Sequence, residues 1–311
     1  MAKRLSLDDR ISEVRRLRDQ EPSPETTAAI KKAIADRSNL VVAVAAKIAG
    51  DQGLAECAGV LEEAFDRFMV DPLKTDKLCR AKTAIAQALE RMEHLDSRVF
   101  LLAARHIQEE PVWGGKEDTA VDLRAAGLLA LTRLNEDGLL PLLVDSFVDP
   151  YKGVRMAVAQ ALGHLGSEAG GLLLRLKVRL GDPEPEVIGD CFTGLLATPS
   201  DENFQLVASY LEIPSPLIQE AAILALGRSR HTSAFAALHS AWDGPARRLL
   251  EEALLLAMGL LRQPEATEFL LKILEEAPEA TATSALAALV IQAHDPRVAS
   301  RVAEIVRGRR I

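Results

Sequence analysis

A chain of stacked antiparallel helix pairs, all-α and wound as a right-handed α-solenoid, is the fold class this sequence predicts, and three residue columns at one recurring interval predict it. Small residues, each followed by Leu or Met, recur at Ala88, Ala130, Ala161, Gly194, Ala225, Ala257 and Ala288, at intervals of 42, 31, 33, 31, 32 and 31 residues. An acidic column at Asp76, Asp118, Asp149 and Asp182 keeps the same 42, 31 and 33, and a basic column at Lys82, Arg124 and Arg155 keeps 42 and 31. A period near 31 residues is long enough for two helices and a turn, and a fixed period of that size marks a repeat array. The core must be small and aliphatic, because hydrophobic residues make up 48% of the chain and aromatics only 4%. Such side chains suit closely packed helices.

In chain order, Ser6 caps a first helix whose Leu7, Ile11, Val14 and Leu17 form an apolar stripe beside Arg10, Arg15, Arg16 and Arg18. Pro22 and Pro24 end it, a second helix runs over 25–35, and the strongly apolar third stops at Gly50. Residues 1–35 are expected to form a helical cap, continuous with a repeat array over 36–311 as one elongated domain. The array then alternates helices, with breakers at Asp149-Pro150, Asp182-Pro183, Pro199, Pro214, Gly244-Pro245, Pro264, Pro278 and Asp295-Pro296. No segment alternates at period two, so no sheet is expected.

The run Asp149-Pro150-Tyr151-Lys152-Gly153-Val154-Arg155, with Ala157 and Ala161-Leu162 after it and echoes at Asp182-Pro183 and Asp118, resembles the HEAT repeat, in the short bacterial form seen in phycobilin lyases. The resemblance covers about 36–311 and is sharpest over 118–197. It implies an armadillo/HEAT-type superhelix. For function it implies only a range, from scaffolds through chaperone-like binders to lyases and a few glycosylases. The Asp and Arg columns (Asp76, Lys82, Asp118, Arg124, Asp149, Arg155 and Asp182) read as a stacking ladder in which an Asp takes helix-start amides and a basic residue one repeat over pairs with it. None is expected to be catalytic.

Candidate binding residues lie where the unit breaks. The 42-residue interval exceeds the usual 31 around 108–117, which holds Trp113 and Lys116, and insertions in repeat arrays often carry contacts. Trp113 is expected first as a plug over the helix ends beneath it and second as a partner anchor. Arg80 is expected to share one helix with Lys77, Cys79 and Lys82. His106 is expected to share the next with Arg105, paired at i,i+4 as Arg105–Glu109 and His106–Glu110. Rotation from the buried Val158 places Leu129, Gln160, Thr193, Leu224, Leu256 and Ala287 on the open face, with Ala125, Met156, Gly189, Glu220, Glu252 and Thr283 beside them. That face would take an amphipathic or basic peptide.

The functional expectation is a non-enzymatic scaffold or adaptor that binds a protein or peptide through this face or the Trp113 edge. The alternatives are a HEAT-like enzyme, either a chromophore lyase or a glycosylase, or a weak nucleic-acid binder. A net charge of −8, with residues 1–20 at +2, 301–311 at +3 and −13 between, argues against general nucleic-acid binding. Cys57, Cys79 and Cys191 are too far apart for a zinc or disulfide pattern, and the six histidines lack ligand spacing, so no metal and no cofactor is expected. His231, Ser233 and Asp243 are not expected to form a triad. With no export signal or membrane span in sight, a cytoplasmic location is expected. The Arg-rich first helix and Arg307-Gly308-Arg309-Arg310 are read as solubilising caps, with weak nucleic-acid contact as the alternative.

Overall fold

The computed structural model describes residues 6–229 and 231–309, so Arg310 of the terminal basic run lies outside the described residues. Two compact units make up the chain, Met1–Ala161 and Leu162–Ile311. In the first, the helices are α1 (Leu7–Arg16), α2 (Pro24–Ile34), α3 (Asn39–Asp51), α4 (Ala58–Met69), the single turn α5 (Pro72–Thr75), α6 (Arg80–Arg91) and α7 (Arg98–Arg105). A hairpin follows, β1 (Glu109–Val112) and β2 (Gly115–Asp118), and then α8 (Val121–Leu134), α9 (Leu139–Ser146) and the start of α10 (Lys152–Leu165). The second unit holds α11 (Glu168–Leu180), α12 (Pro185–Leu196), α13 (Asp201–Ala208), α14 (Pro216–Ser229), α15 (Ala234–Asp243), α16 (Arg247–Leu261), α17 (Pro264–Glu276), α18 (Glu279–Val290) and α19 (Pro296–Arg309). The fold is an all-α solenoid of stacked antiparallel helix pairs. Within the first unit α3, α6 and α8 stack in order with α2, α4 and α7 against them; within the second, α12, α14, α16 and α18 stack with α11, α13, α15 and α17.

Local sequence sets the helix ends. Ser6 and Asp9 form a reciprocal capping box on α1, Ser23, Ser167 and Ser200 each accept an amide at the start of α2, α11 and α13, and proline opens α12 and α17. The small-residue column sets the spacing between repeats. A β-carbon on Gly50 would lie 2.8 Å from the Ala88 Cα, and one on Gly227 would lie 2.6 Å from the Ala257 Cα and 2.7 Å from its carbonyl oxygen. Gly163 meets Gly194, and Gly259 meets Ala288, in the same way. Four of the column residues, Ala88, Gly194, Ala257 and Ala288, are thus faced by a glycine of the preceding repeat, and the helices approach there to near backbone contact. Gly227→Ala is expected to force two helices apart and cost about 1–3 kcal/mol. Gly171→Ala, in a helix with nothing within 4 Å of the added carbon, is expected to stabilise by up to about 1 kcal/mol through helix propensity. Urea denaturation of the two variants checks the contrast, and equal effects would contradict it.

The absence of any sheet is corrected by the hairpin. Its register pairs Glu109 with Asp118 and Val112 with Gly115, and Gly114 turns the chain at φ 92°. Four-residue strands containing Pro111, Lys116 and Glu117 bury no alternating apolar face, so the period-two signal has nothing to read. Because α7 ends at Arg105, the i,i+4 pairs Arg105–Glu109 and His106–Glu110 do not form; Glu109 reaches Lys116 across the strands at 3.3 Å instead. The expected helix joining Lys77 to Lys82 is likewise broken, since Leu78 and Cys79 hold left-handed φ values of 61° and 53° and α6 starts only at Arg80.

Candidate functional site

The largest deviation from the repeat is organised by Gln108, which is 2% exposed. Its backbone N–H donates to Asp118 Oδ1 at 3.0 Å, and its side-chain amide donates to the Asp76 carbonyl at 2.8 Å and Glu110 Oε1 at 2.7 Å. Its Oε1 accepts from Lys82 Nζ at 2.8 Å and lies 3.2 Å from His106 Nε2. An ammonium only donates, so the amide oxygen must face Lys82 and the orientation is fixed by chemistry. Lys82 and Asp76 are fully buried and 3.3 Å apart. Glu110 Oε1 also accepts from Thr119 Oγ1 at 2.9 Å and from the strained Leu78 N–H at 2.5 Å. One buried polar network therefore pins the hairpin base to the turn before α6.

The Asp and basic columns engage helix starts and each other in more than one way. Asp76 accepts from Ala81 N and Lys82 N, Asp118 from Ala120 N, Asp149 from Tyr151 N and Asp182 from Glu184 N, as an Asp at a helix start should. Arg124 spans two repeats, 2.6 Å from Asp118 and 3.1 Å from Asp149, and Asn39 reaches Asp76 from the repeat before. Lys82 pairs with Asp76 of its own repeat and reaches the next through Gln108, which the insertion puts between it and Asp118. Arg155 donates to the Asp149 and Pro150 carbonyls, and Asp182 lies 2.7 Å from Lys177.

Burial alone would raise the Glu110 and Asp118 pKa values. Hydrogen bonds from Gln108, Thr119 and Leu78 to Glu110 outweigh it, as do those from Gln108, Ala120 and Arg124 to Asp118, so both stand below their ordinary 4.5 and 3.8. Burial pushes His106 below 6.5, against a weaker opposing hydrogen bond from Gln108. All three groups have depressed folded values, so each contributes stability that is present above its ordinary pKa and is lost as pH falls through its folded one. The thermal midpoint is expected to drop in two stages on acidification, one beginning below 6.5 and one below 4.5. His106→Gln is expected to shrink the first stage alone, and unchanged pH profiles would contradict this assignment.

Beside the network opens a cavity of about 580 Å³. Helix α1 packs on α3 and supplies Ile11 and Arg15, with Arg18 just after it. Helix α3 adds Leu40, Ala43, Val44 and Lys47; α6 adds Arg80, Thr83, Ala84, Gln87 and Arg91; Leu78, Thr119 and Asp122 complete the wall. The floor is apolar, and five basic residues face one carboxylate. Arg91 is held by Asp51 at 2.8 Å. Among the described residues no carboxylate pairs with Arg15, Arg18, Lys47 or Arg80.

The structure brings only Arg80 of the sequence-named binding residues into this groove. Trp113 is 104% exposed at the hairpin tip, which corrects the plug expectation: the two strands carry it off the helix ends. Lys116 is exposed beside it and His106 is half-buried in the network. Leu129 is exposed and Met156 half-buried. In the second unit Glu220 and Glu252 do line one cavity, of about 370 Å³, with Arg248 and Glu251, while Leu224 is half-buried and Leu256 is 40% exposed. Asp243 pairs with His239, and His231 meets the backbone N–H of Ser233, so no triad forms. The groove was legible had the open-face columns been continued upstream of Leu129. One then reads Lys47 and Gln87, and the set eight residues before the small column reads Leu40, Arg80 and Asp122.

A family model described as HEAT repeats matches residues 204–290. Among solved structures, the chain is similar to the complex of CpcE and CpcF of phycocyanin lyase from Nostoc at 20% identity, over 78% of this chain and 93% of that one, with a TM-score of 0.41. It is similar to human deoxyhypusine hydroxylase in complex with glycerol at 17% identity, over 83% and 91%, with a TM-score of 0.32. An engineered protein is similar at 15% identity over 98% and 92%, with a TM-score of 0.38. No curated protein matches the sequence. Among the described residues no helix is long and apolar enough to cross a membrane.

Proposed function

From a HEAT/armadillo-type repeat fold, which serves enzymes and non-enzymatic proteins alike, we propose that this protein is a non-enzymatic interaction module that holds an acidic, amphipathic segment of a partner protein in the groove of its first unit. The observation that carries this reading is the set of four unneutralised cations, Arg15, Arg18, Lys47 and Arg80, around an apolar floor. Such a lining takes carboxylates at its rim and leucine-type side chains below. The open-face reading thus moves from an acidic or Leu-lined surface that takes basic peptides to a basic one that takes acidic peptides.

A helix of glutamate and leucine fits this lining better than a nucleic acid does. No aromatic ring lines the groove for bases to stack on. Against an enzymatic reading, all three cysteines are buried, and burial pushes the Cys79 and Cys191 thiols to about 12, far from a nucleophilic thiolate. Trp113 supplies a second, apolar contact. Its hairpin is tied through Glu110 to Leu78 and Thr119, both of which line the groove.

The test is fluorescence anisotropy with a labelled Leu/Glu amphipathic helix, its Leu/Lys counterpart and a single-stranded oligonucleotide. The Leu/Glu helix is expected to bind in a salt-sensitive manner and the Leu/Lys helix not to bind. Trp113→Ala is expected to weaken binding about tenfold and to leave stability unchanged. Preference for the oligonucleotide, or for the Leu/Lys helix, would sink the reading.

A further inference from the structure

A second cluster lies on a different part of the first unit, where α4 meets the turn between α6 and α7. Glu93 takes a left-handed φ of 54°, and the His94 N–H caps α6 by donating to the Leu89 carbonyl at 3.0 Å. This turn lays His94 against Glu62 of α4, with Nε2 2.6 Å from Glu62 Oε1. That nitrogen is buried, yet it makes no hydrogen bond of acceptable geometry with any group. A buried imidazole nitrogen without a hydrogen bond thus stands against a carboxylate oxygen.

The third member is Asp96, which brings the donor atoms of Glu62, His94 and Asp96 within 4.8 Å of one another. Its carboxylate is oriented by accepting the Arg98 N–H at Oδ1, 2.9 Å away. The Arg98 guanidinium is held on Asp66 at 2.7 Å, and that of Arg133 donates to the His94 carbonyl at 3.3 Å. One imidazole nitrogen and two carboxylate oxygens form a donor set suited to zinc, with a fourth position open to water or to a donor from a partner.

We propose that Glu62, His94 and Asp96 bind a divalent transition-metal ion, zinc by preference, clamping α4 to the turn that leads into the next repeat. The site does not depend on the groove reading. Because the ion ties α4 to the turn after α6 only in the folded chain, it raises the thermal midpoint in proportion to its occupancy.

The experiment uses the full chain, stripped with a chelator and titrated with zinc chloride alone by calorimetry, with cobalt(II) absorption as a second readout. One equivalent is expected to bind in the micromolar range, to raise the melting temperature and to give cobalt bands of a nitrogen–oxygen site. Glu62→Gln and His94→Gln are expected to lose at least tenfold in affinity while keeping the far-UV circular dichroism of the parent. His231→Gln, at the surface pair His231–Asp201, is expected to bind as the parent does. Absence of saturable binding, or affinity unchanged in both cluster variants, would overturn the site.

Discussion

Lys82→Ala is expected to destabilise the first unit by about 3–5 kcal/mol, the effect of removing one member of a buried ion pair. Lys82 is 0% exposed, and its ammonium serves Asp76, the Phe68 carbonyl and Gln108 Oε1. Truncation leaves the Asp76 charge without its cation and strips Gln108 of the donor that fixes its amide. The damage should pass to the hairpin, because Gln108 and Glu110 hold its base. Asp76 also accepts from the amides of Ala81 and Lys82 and the side chain of Asn39, so Asp76→Asn, which turns an NH2 toward one of these donors and leaves Lys82 without its anion, should cost a comparable amount. The double variant Lys82→Met/Asp76→Asn should recover part of the loss, since no unpaired charge stays buried. Urea denaturation of these variants together with Lys82→Met closes the double-mutant cycle and gives the coupling. A loss below about 1 kcal/mol for Lys82→Ala would mean that the pair behaves as a surface pair does.

Reversing the four groove cations is expected to act on binding as strongly as Lys82→Ala acts on stability. Arg15, Arg18, Lys47 and Arg80 are all exposed and make no ion pair among the described residues, so their substitution should leave the unfolding midpoint near that of the parent. Facing an acidic helix, four glutamates replace attraction with repulsion, and affinity should fall by about a hundredfold or more at low salt. Arg91, already neutralised by Asp51, should contribute least, and Arg91→Glu is the internal control. A quadruple variant that binds the Leu/Glu helix as the parent does would remove the groove from the account.

The repeat architecture was legible because it is written in a period, and a period survives local irregularity. The small column at Ala88, Gly194, Ala257 and Ala288 foretold the stacking, and the structure supplies the reason in the glycines Gly50, Gly163, Gly227 and Gly259 that face it. The 42-residue interval located the insertion but not its form, since a four-residue strand with Pro111 in it looks like a loop. Trp113 was misread because general burial preferences favour a covered tryptophan, and nothing local in the sequence reveals a hairpin that lifts it. Gln108 was invisible altogether: a glutamine in a loop reads as solvated, and its burial follows only from where Lys82 and Asp76 meet. The groove lay beyond reach for a simpler reason. Net charge averages over the surface, and a chain at −8 still gathers Arg15, Arg18, Lys47 and Arg80 around one groove, where α1, α3 and α6 come together.

Amide hydrogen exchange of the full chain, with and without the Leu/Glu helix, tests the central claim most directly. Slowed exchange is predicted over residues 7–18, 40–47 and 78–91, with a smaller effect at the Trp113 hairpin. Slowing confined to 217–256, the segment with Glu220 and Glu252, or binding that protects no part of the first unit, would contradict it.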